Sequence, residues 1–327
     1  MHPHQDLIER RIVGVVLARL AEEPVILLEG PRTVGKSTTL RELAGRLGGE
    51  VLDLDDPATR DAVLADPATM IDGSSLVCID EYQHAPTVLD AIKARLNRSA
   101  RPGQFLLTGS ARHESLPAAA QALTGRLHRM TVHPLAQAEL ESTRSGFLTR
   151  LFATPAQAGA GGASTTARQD YLERLARGGF PLTLARRSES ARHRWFDDYV
   201  RLTLERDVRE LSRVRQVRAL PVLLERLAGQ TGQVLNATAA ANAAGIDPHA
   251  ARDYIRLLES VFPLQLLPAW GTTLTSRSAS APKVHVLDSG VAARLLRLTP
   301  DKLARRDPTS LTRLGRRDLR EDERLSK

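Results

Sequence analysis

The chain has 327 residues, of which 42% are hydrophobic, with a single cysteine and a formal net charge of +8. That length supports two domains with a sizeable core, while a lone Cys78 excludes an intrachain disulfide and a multi-cysteine zinc site. No window approaches the ~18 uninterrupted apolar residues of a membrane-spanning helix, and the N-terminus MHPHQDLIERR has no apolar core behind a basic start, so the expectation is a cytoplasmic chain with no membrane partner.

In chain order, residues 24–29 (PVILLE) are predicted as a buried strand ending at a glycine. The next eight residues, Gly30, Pro31, Arg32, Thr33, Val34, Gly35, Lys36 and Ser37, match G-x-x-x-x-G-K-[ST]. The glycines let successive backbone N–H groups turn inward around an anion. The helix starting near Lys36 points its positive end at the same place. The pattern assigns Lys36 to the β- and γ-phosphates of ATP and the Ser37 hydroxyl to Mg²⁺, with Thr38 completing the nucleotide-binding set. Arg32 is placed as a contact to nucleotide or to a neighbour. A chance glycine turn would lack the context seen here: a strand before, and after it a helical stretch with Leu40, Leu43, Ala44 and Leu47 on one face.

Residues 50–54 (EVLDL) and 75–80 (SLVCID) are the second and third predicted strands. The third runs into Asp80 and Glu81. In phosphoryl transfer chemistry Asp80 holds Mg²⁺ and Glu81 polarises the attacking water as general base; a strand ending in solvated acids is the blander reading. Residues 104–108 (QFLLT) form a fourth strand, ending in Thr108-Gly109-Ser110, where Thr108 or Ser110 would sense the γ-phosphate. Arg126 stands just before a fifth strand at 127–132. It is set against transition-state charge in its own chain or in a neighbouring subunit of a homo-oligomer, with an ordinary surface arginine as the equal alternative. Strands alternating with helices predict an α/β fold, a parallel sheet covered on both faces. Gly30, Asp80 and Thr108 would then share the carboxyl edge where ligands bind.

Residues 151–168, rich in Ala, Gly, Ser and Thr, read as a flexible linker. Arg-rich helical stretches follow at about 169–177 and 191–213, then a helix at 218–229. Residues 236–245 (NATAAANAAG) and 248–259 (PHAARDYIRLLE) are two short helices joined by a glycine-containing turn. That is a helix-turn-helix pattern, with 261–268 as a strand that adds a wing and 282–287 as another strand. His249, Arg252 and Arg256 lie on its second helix. Residues 299–327 are expected to be a charged, disordered tail. Residues 1–150 hold 17 Lys+Arg and 19 Asp+Glu, a balance of −2, which leaves 29 and 19 for residues 151–327, a balance of +10. The asymmetry suggests a neutral engine and a basic half that meets DNA or a protein; a coding bias towards Arg and Ala would produce it too. The expected division is 5–150, the linker, an accessory domain at 169–298, and the tail.

These residues resemble the prokaryotic AAA-type P-loop ATPases that carry a C-terminal, winged-helix-containing domain of unknown function. The likeness is carried by Leu28 to Ser37, Asp53-Leu54-Asp55-Asp56, Ile79 to Pro86, Leu106 to Ser110 and Leu123 to Arg126. His133-Pro134-Leu135 and Glu139 match the segment that closes the ATPase domain. Gly178-Gly179-Phe180-Pro181, Trp195, Tyr199, Arg206-Asp207-Val208 and Lys283 to Gly290 match the accessory part. A strand between Gly30 and Asp80 in sequence fits the branch with an added central strand and a catalytic glutamate, rather than the small nucleotide kinases. The resemblance implies ATP and Mg²⁺ as ligands. Family members usually continue past Leu298 into a nuclease-like fold, so the chain is expected to be C-terminally truncated and without nuclease activity. Asn97 stands where the family tends to have Asp. The expectation is an ATP hydrolase coupling nucleotide state to a basic winged-helix module; the alternative is a nucleotide-dependent switch or DNA-binding regulator with little or no turnover.

Overall fold

Three runs of apolar residues, VILLE, VCID and FLLTG, are buried along their whole length and form the strands β1 (Val25–Glu29), β3 (Val77–Asp80) and β4 (Phe105–Gly109). In this computed structural model, which describes residues 7–73, 75–110, 123–143, 151–154, 165–208, 217–271 and 280–305, they are joined by β2 (Glu50–Asp53) and β5 (Leu127–Thr131) in a parallel sheet of order β2-β3-β4-β1-β5. All four pairings are parallel. Continuous apolar runs belong to strands covered on both faces, and the outer two strands are less buried. The predicted strands match to within two residues at either end. The insertion of β4 between β1 and β3 sets Glu29, Asp80 and Gly109 along one edge.

The side-chain alternation of β1 divides the core. Val25 and Leu27 face one apolar cluster with Leu54, Val63, Ile79, Ile92 and Leu107. That cluster lies under α3 (Pro57–Ala65), α4 (Pro67–Met70) and α5 (Val88–Arg98). Ile26 and Leu28 face the other cluster, with Val13 and Val16 of α1 (Arg11–Leu20), Leu40 and Leu43 of α2 (Lys36–Leu47), and Cys78. This second cluster runs on without a break through Phe180, Phe196, Leu223 and Val284 into the second half of the chain.

After β5 comes the short helix α6 (Gln137–Leu140). The accessory half starts with α7 (Arg168–Arg177), α8 (Pro181–Leu184) and α9 (Glu189–Leu202), the last continuing as a π turn at Thr203–Asp207. Phe180, Trp195, Phe196 and Tyr199 pack ring against ring at 4.7–5.3 Å between centroids. Then follow α10 (Leu220–Ala228), β6 (Gln233–Val234), α11 (Ala237–Ala243), α12 (Pro248–Ser260), β7 (Leu264–Leu267) and β8 (Lys283–Val286). The last three strands form an antiparallel sheet of order β6-β8-β7. Asn236 and Asp247 cap α11 and α12 through their side chains, each accepting a backbone N–H of the first turn.

The first residues of the expected tail, 299–305, are ordered as a helix and its caps. Helix α13 (Ser289–Leu295) is followed by α14 (Pro300–Ala304), capped by Thr299 and anchored by buried Leu303. Residues 306–327 of that tail, 155–164 of the expected linker and 209–213 of the expected Arg-rich helix lie outside the described residues. No helix among the described residues is long and apolar enough to cross a membrane.

Candidate nucleotide-binding site

The loop between β1 and α2 is shaped by its glycines. Gly35 sits at φ 97° and Thr33 at φ 63°, both in the left-handed region, and a Cβ on Gly30 would collide with the carbonyl oxygen of Val132. Turned this way, the loop leads straight into α2, whose first residue is Lys36. Lys36 is 4% exposed, and its Nζ donates to the carbonyls of Gly30 and Pro31, each at 3.0 Å. The same ammonium lies 3.9 Å from Glu81 Oε1. Val34 is fully buried beneath the loop, whereas Thr33 and Thr38 face solvent.

The two acids sit where β3 ends. Ser37 Oγ donates to Asp80 Oδ1 at 3.0 Å, and Thr108 Oγ1 from the end of β4 donates a short hydrogen bond to the same oxygen. Thr108 Oγ1 also accepts the backbone N–H of Glu81 at 2.9 Å. The expected phosphate sensor is thus a fully buried strut between both acids. Ser110, the other sensor candidate, donates to Glu81 Oε2 at 2.6 Å and accepts from Gln83 Nε2 at 3.1 Å; Gln83 Nε2 also donates to Glu81 Oε2. Glu81 itself holds a left-handed backbone, φ 53°, a conformation unfavourable for a residue with a Cβ.

The two carboxyls are tuned in opposite directions. Burial pushes Asp80 above the ordinary aspartate value, helped by the charge of Glu81 and resisted by the hydroxyls of Thr108 and Ser37 and by Arg41. Burial also pushes Glu81 up, but Lys36, the hydrogen bonds from Ser110 and Gln83, and Arg32 outweigh it and hold its pKa below the usual glutamate range. Buried Cys78 beneath them is pushed up to about 12, so it stays a thiol.

Two contributors escaped the sequence reading. Arg41, one turn beyond Ser37 on α2, reaches Asp53 Oδ2 at 2.7 Å and Asp80 Oδ2 at 3.6 Å. Gln83 lies in the 3₁₀ turn Tyr82–His84 just after the acids. The i, i+4 spacing from Ser37 to Arg41 was a usable signal; Gln83 lay within the Ile79–Pro86 segment that carries the resemblance, with no role assigned to it. Arg126 is not brought to this site. It precedes Leu127, which pairs with Val25 at the opposite edge of the sheet, about 13 Å of strand away from the loop. There its Nη1 donates to Asn97 Oδ1 at 2.6 Å. The geometry corrects the expectation that Arg126 serves the phosphate site of its own chain.

Among the described residues no group of three or more His, Cys, Asp or Glu side chains converges to hold a metal ion. The Ser37 hydroxyl and Asp80 carboxylate instead offer two hard oxygens at one point. That suits a magnesium ion, which keeps most of its coordination for water and phosphate.

Residues 22–141 match the AAA domain family, and residues 168–302 match a domain of unknown function (DUF8612). Uncharacterized proteins of Mycobacterium bovis and Mycobacterium tuberculosis are each 31% identical over 307 residues, an overlap covering 91% of this chain and 62% of theirs. The chain therefore spans under two thirds of the length of these curated relatives. Among solved structures, a Walker-type ATPase of Pyrococcus abyssi shares the fold with a TM-score of 0.53 at 15% identity, covering 89% of this chain and 97% of that one.

Proposed function

We propose that the chain, whose residues 22–141 match the AAA domain family, is an AAA-type P-loop ATPase that binds ATP with Mg²⁺ and hydrolyses it, coupling nucleotide state to its basic accessory half. One observation carries the reading: Ser37, Asp80, Glu81 and Thr108 are joined by hydrogen bonds, and Lys36 reaches the same cluster through its ion pair with Glu81. In this reading Lys36 leaves the loop carbonyls for the phosphates, which the inward-turned amides of the loop cradle. Ser37 and Asp80 would hold a magnesium ion, which would supply charge neutralisation to the nucleotide phosphates. Glu81, kept ionised by its neighbours, takes up the proton of the attacking water. Arg32, close enough to lower the pKa of Glu81, adds positive charge at the loop. Arg126, at the far edge, is left for the site of a neighbouring copy in a homo-oligomer. The order helix, strand, helix, helix, strand, strand from α10 to β8 supports reading the accessory half as a winged helix.

The decisive experiment measures ATP binding and phosphate release by purified wild type, Lys36→Ala and Glu81→Gln. Lys36→Ala is expected to lose binding, and Glu81→Gln to bind but release phosphate at least 100-fold more slowly, the scale of a lost general base. Undiminished turnover in both variants would refute the proposal.

A second reading is a nucleotide-dependent switch that acts on DNA with little turnover. It is favoured by the exposed face of α12, with His249, Arg252 and Arg256, beside a groove of about 670 Å³ that Arg252 and Arg256 help to line. Filter binding to duplex DNA across a salt titration tests it; an affinity indifferent to salt would argue against phosphate contacts.

A further inference from the structure

The phosphate loop is held from behind by an arginine that belongs to none of its motifs. Arg10 directly precedes α1, and its side chain is only 10% exposed. Its Nη1 donates to the carbonyl of Val34 inside the loop at 2.7 Å, and its Nη2 to the carbonyl of His133 at 2.7 Å. Its Nε donates to Glu139 Oε1 at 3.3 Å. A Cβ on Gly35 would stand 3.5 Å from the same guanidinium. Glu139, with a side chain 8% exposed, also accepts the N–H of Arg11 through Oε1 and that of Ala136 through Oε2, both at 2.9 Å. The carboxylate thereby closes the first turn of α1 while it orients Arg10. Three acceptors in two chain segments suit a planar guanidinium with its donors spread in a fixed fork; an ammonium could not meet them together.

The contacts do not stop at residue 139. The Leu135 N–H donates to the carbonyl of Gly179 at 2.8 Å. The Gly179 N–H donates to Asp288 Oδ2 at 2.7 Å, and Asp288 Oδ1 accepts the N–H of Val291 at the head of α13 at 3.0 Å. A Cβ on Gly179 would collide with the carbonyl of Leu135, so the backbones touch directly. Arg10 therefore stands where two routes meet, one through Val34 into the phosphate loop, the other through His133 and along the backbone to Leu135 and the accessory half.

We infer that Arg10 is a positioning residue of the phosphate loop and that it transmits the loop's geometry to the accessory half through the segment 133–139 and Gly179. The inference rests on nucleotide binding at the loop, as proposed above, and names the route by which that binding is felt elsewhere. Removing the guanidinium takes a donor from the Val34 and His133 carbonyls and leaves the buried Glu139 carboxylate with backbone donors but no counter-charge, a loss that a folded chain meets by shifting the loop.

The test uses the whole chain. Equilibrium titration with a fluorescent ADP analogue compares wild type, Lys36→Ala, Arg10→Ala and Arg10→Lys, with Arg19→Ala, an exposed position on α1, as the neutral control. Arg10→Ala is expected to weaken binding about tenfold or more, the equivalent of one charge-assisted hydrogen bond. Millimolar guanidinium should restore part of it, and Arg10→Lys should fall between the two. Hydrogen exchange with nucleotide held well above each protein's own Kd then reads the route. In wild type, ADP slows exchange in the loop and also at 133–139 and 177–181; in Arg10→Ala only the loop responds. A folded Arg10→Ala with wild-type affinity and a wild-type exchange response at 177–181 overturns the inference. If Arg10→Ala does not fold, the same wild-type behaviour in Arg10→Lys overturns it. Failure of the wild type itself to bind nucleotide sinks the underlying reading instead.

Discussion

Replacing Thr108 by valine keeps the shape of the side chain and removes one hydroxyl, and that hydroxyl joins the two acids of the site. It donates to Asp80 Oδ1 and accepts the N–H of Glu81, with no solvent exposure to replace either bond. A lost hydrogen bond to a charged group costs about 1.5–3 kcal/mol, and an orphaned amide about 1–2 kcal/mol. No longer burying a hydroxyl returns about 1–2 kcal/mol. The expected net loss is about 2 kcal/mol, a fall in Tm of about 3 °C for a protein of this size. The functional effect should be larger than the structural one. Glu81 keeps its left-handed backbone against an intrinsic preference of about 1–2 kcal/mol, and the Thr108 bond is one of the contacts holding it there. Released, Glu81 leaves the geometry needed to orient water, and phosphate release should fall about 10- to 100-fold. Lys36 and the loop carbonyls do not touch Thr108, so the Kd for ATP should change less than threefold. Thr108→Ser, which retains the hydroxyl, should restore most of the turnover. Phosphate release, ATP titration and calorimetry on the three proteins decide the matter. A Thr108→Val protein with wild-type turnover, or one that loses ATP affinity in step with turnover, would refute the assignment of Thr108 as a strut for the acids.

Three further outcomes are expected. Gly30→Ala places a methyl group against the Val132 carbonyl, so it should destabilise the chain by about 1–3 kcal/mol and abolish ATP binding in a titration. Asp80 has a raised pKa in the folded chain, so its stabilising contribution is complete below the ordinary aspartate value and is lost as pH rises through the folded value. Ligand-free Asp80→Asn should therefore melt above wild type at pH 7, and the gap should close as pH is lowered towards 4 in thermal scans. Arg126→Ala should leave the Kd for ATP within twofold of wild type in dilute protein, because the residue lies at the opposite edge of the sheet; a loss of binding by titration would contradict that placement.

The strands and the phosphate loop were legible in the sequence because burial on both faces writes an unbroken apolar run, and because an anion-binding turn demands glycine where few other residues fit. The short helices α3 and α4 were not read, although Asp56-Pro57-Ala58-Thr59 and Asp66-Pro67-Ala68-Thr69 carry the same signal twice: an aspartate cap followed by proline in the first turn. They bury so little, Val63 alone between them, that no periodicity announces them. The roles of Thr108, Ser110 and Gln83 were beyond reach for another reason. Their partners depend on β4 lying beside β3, a neighbourhood that strand order decides and local pattern does not. The helix at Pro300–Ala304 was hidden in a charged stretch because what orders it is Leu303, buried against distant parts of the chain. Arg10 carried no local mark at all; its three acceptors come from positions 34, 133 and 139.

The larger apolar cluster, which begins on α1 and ends on β8, has a bearing on modularity. As sequences, the two halves are recognised separately, with a gap between 141 and 168. As folded objects they share one interior, with Val13, Ile26 and Leu40 from the first half packed into the same cluster as Phe196, Leu223 and Val284 from the second. Denaturant should therefore melt both halves in a single transition, and proteolysis between them should not release two stable pieces. A chimera that pairs this nucleotide-binding half with a foreign partner half must first rebuild the seam around Leu135 and Gly179, whatever tether connects the two.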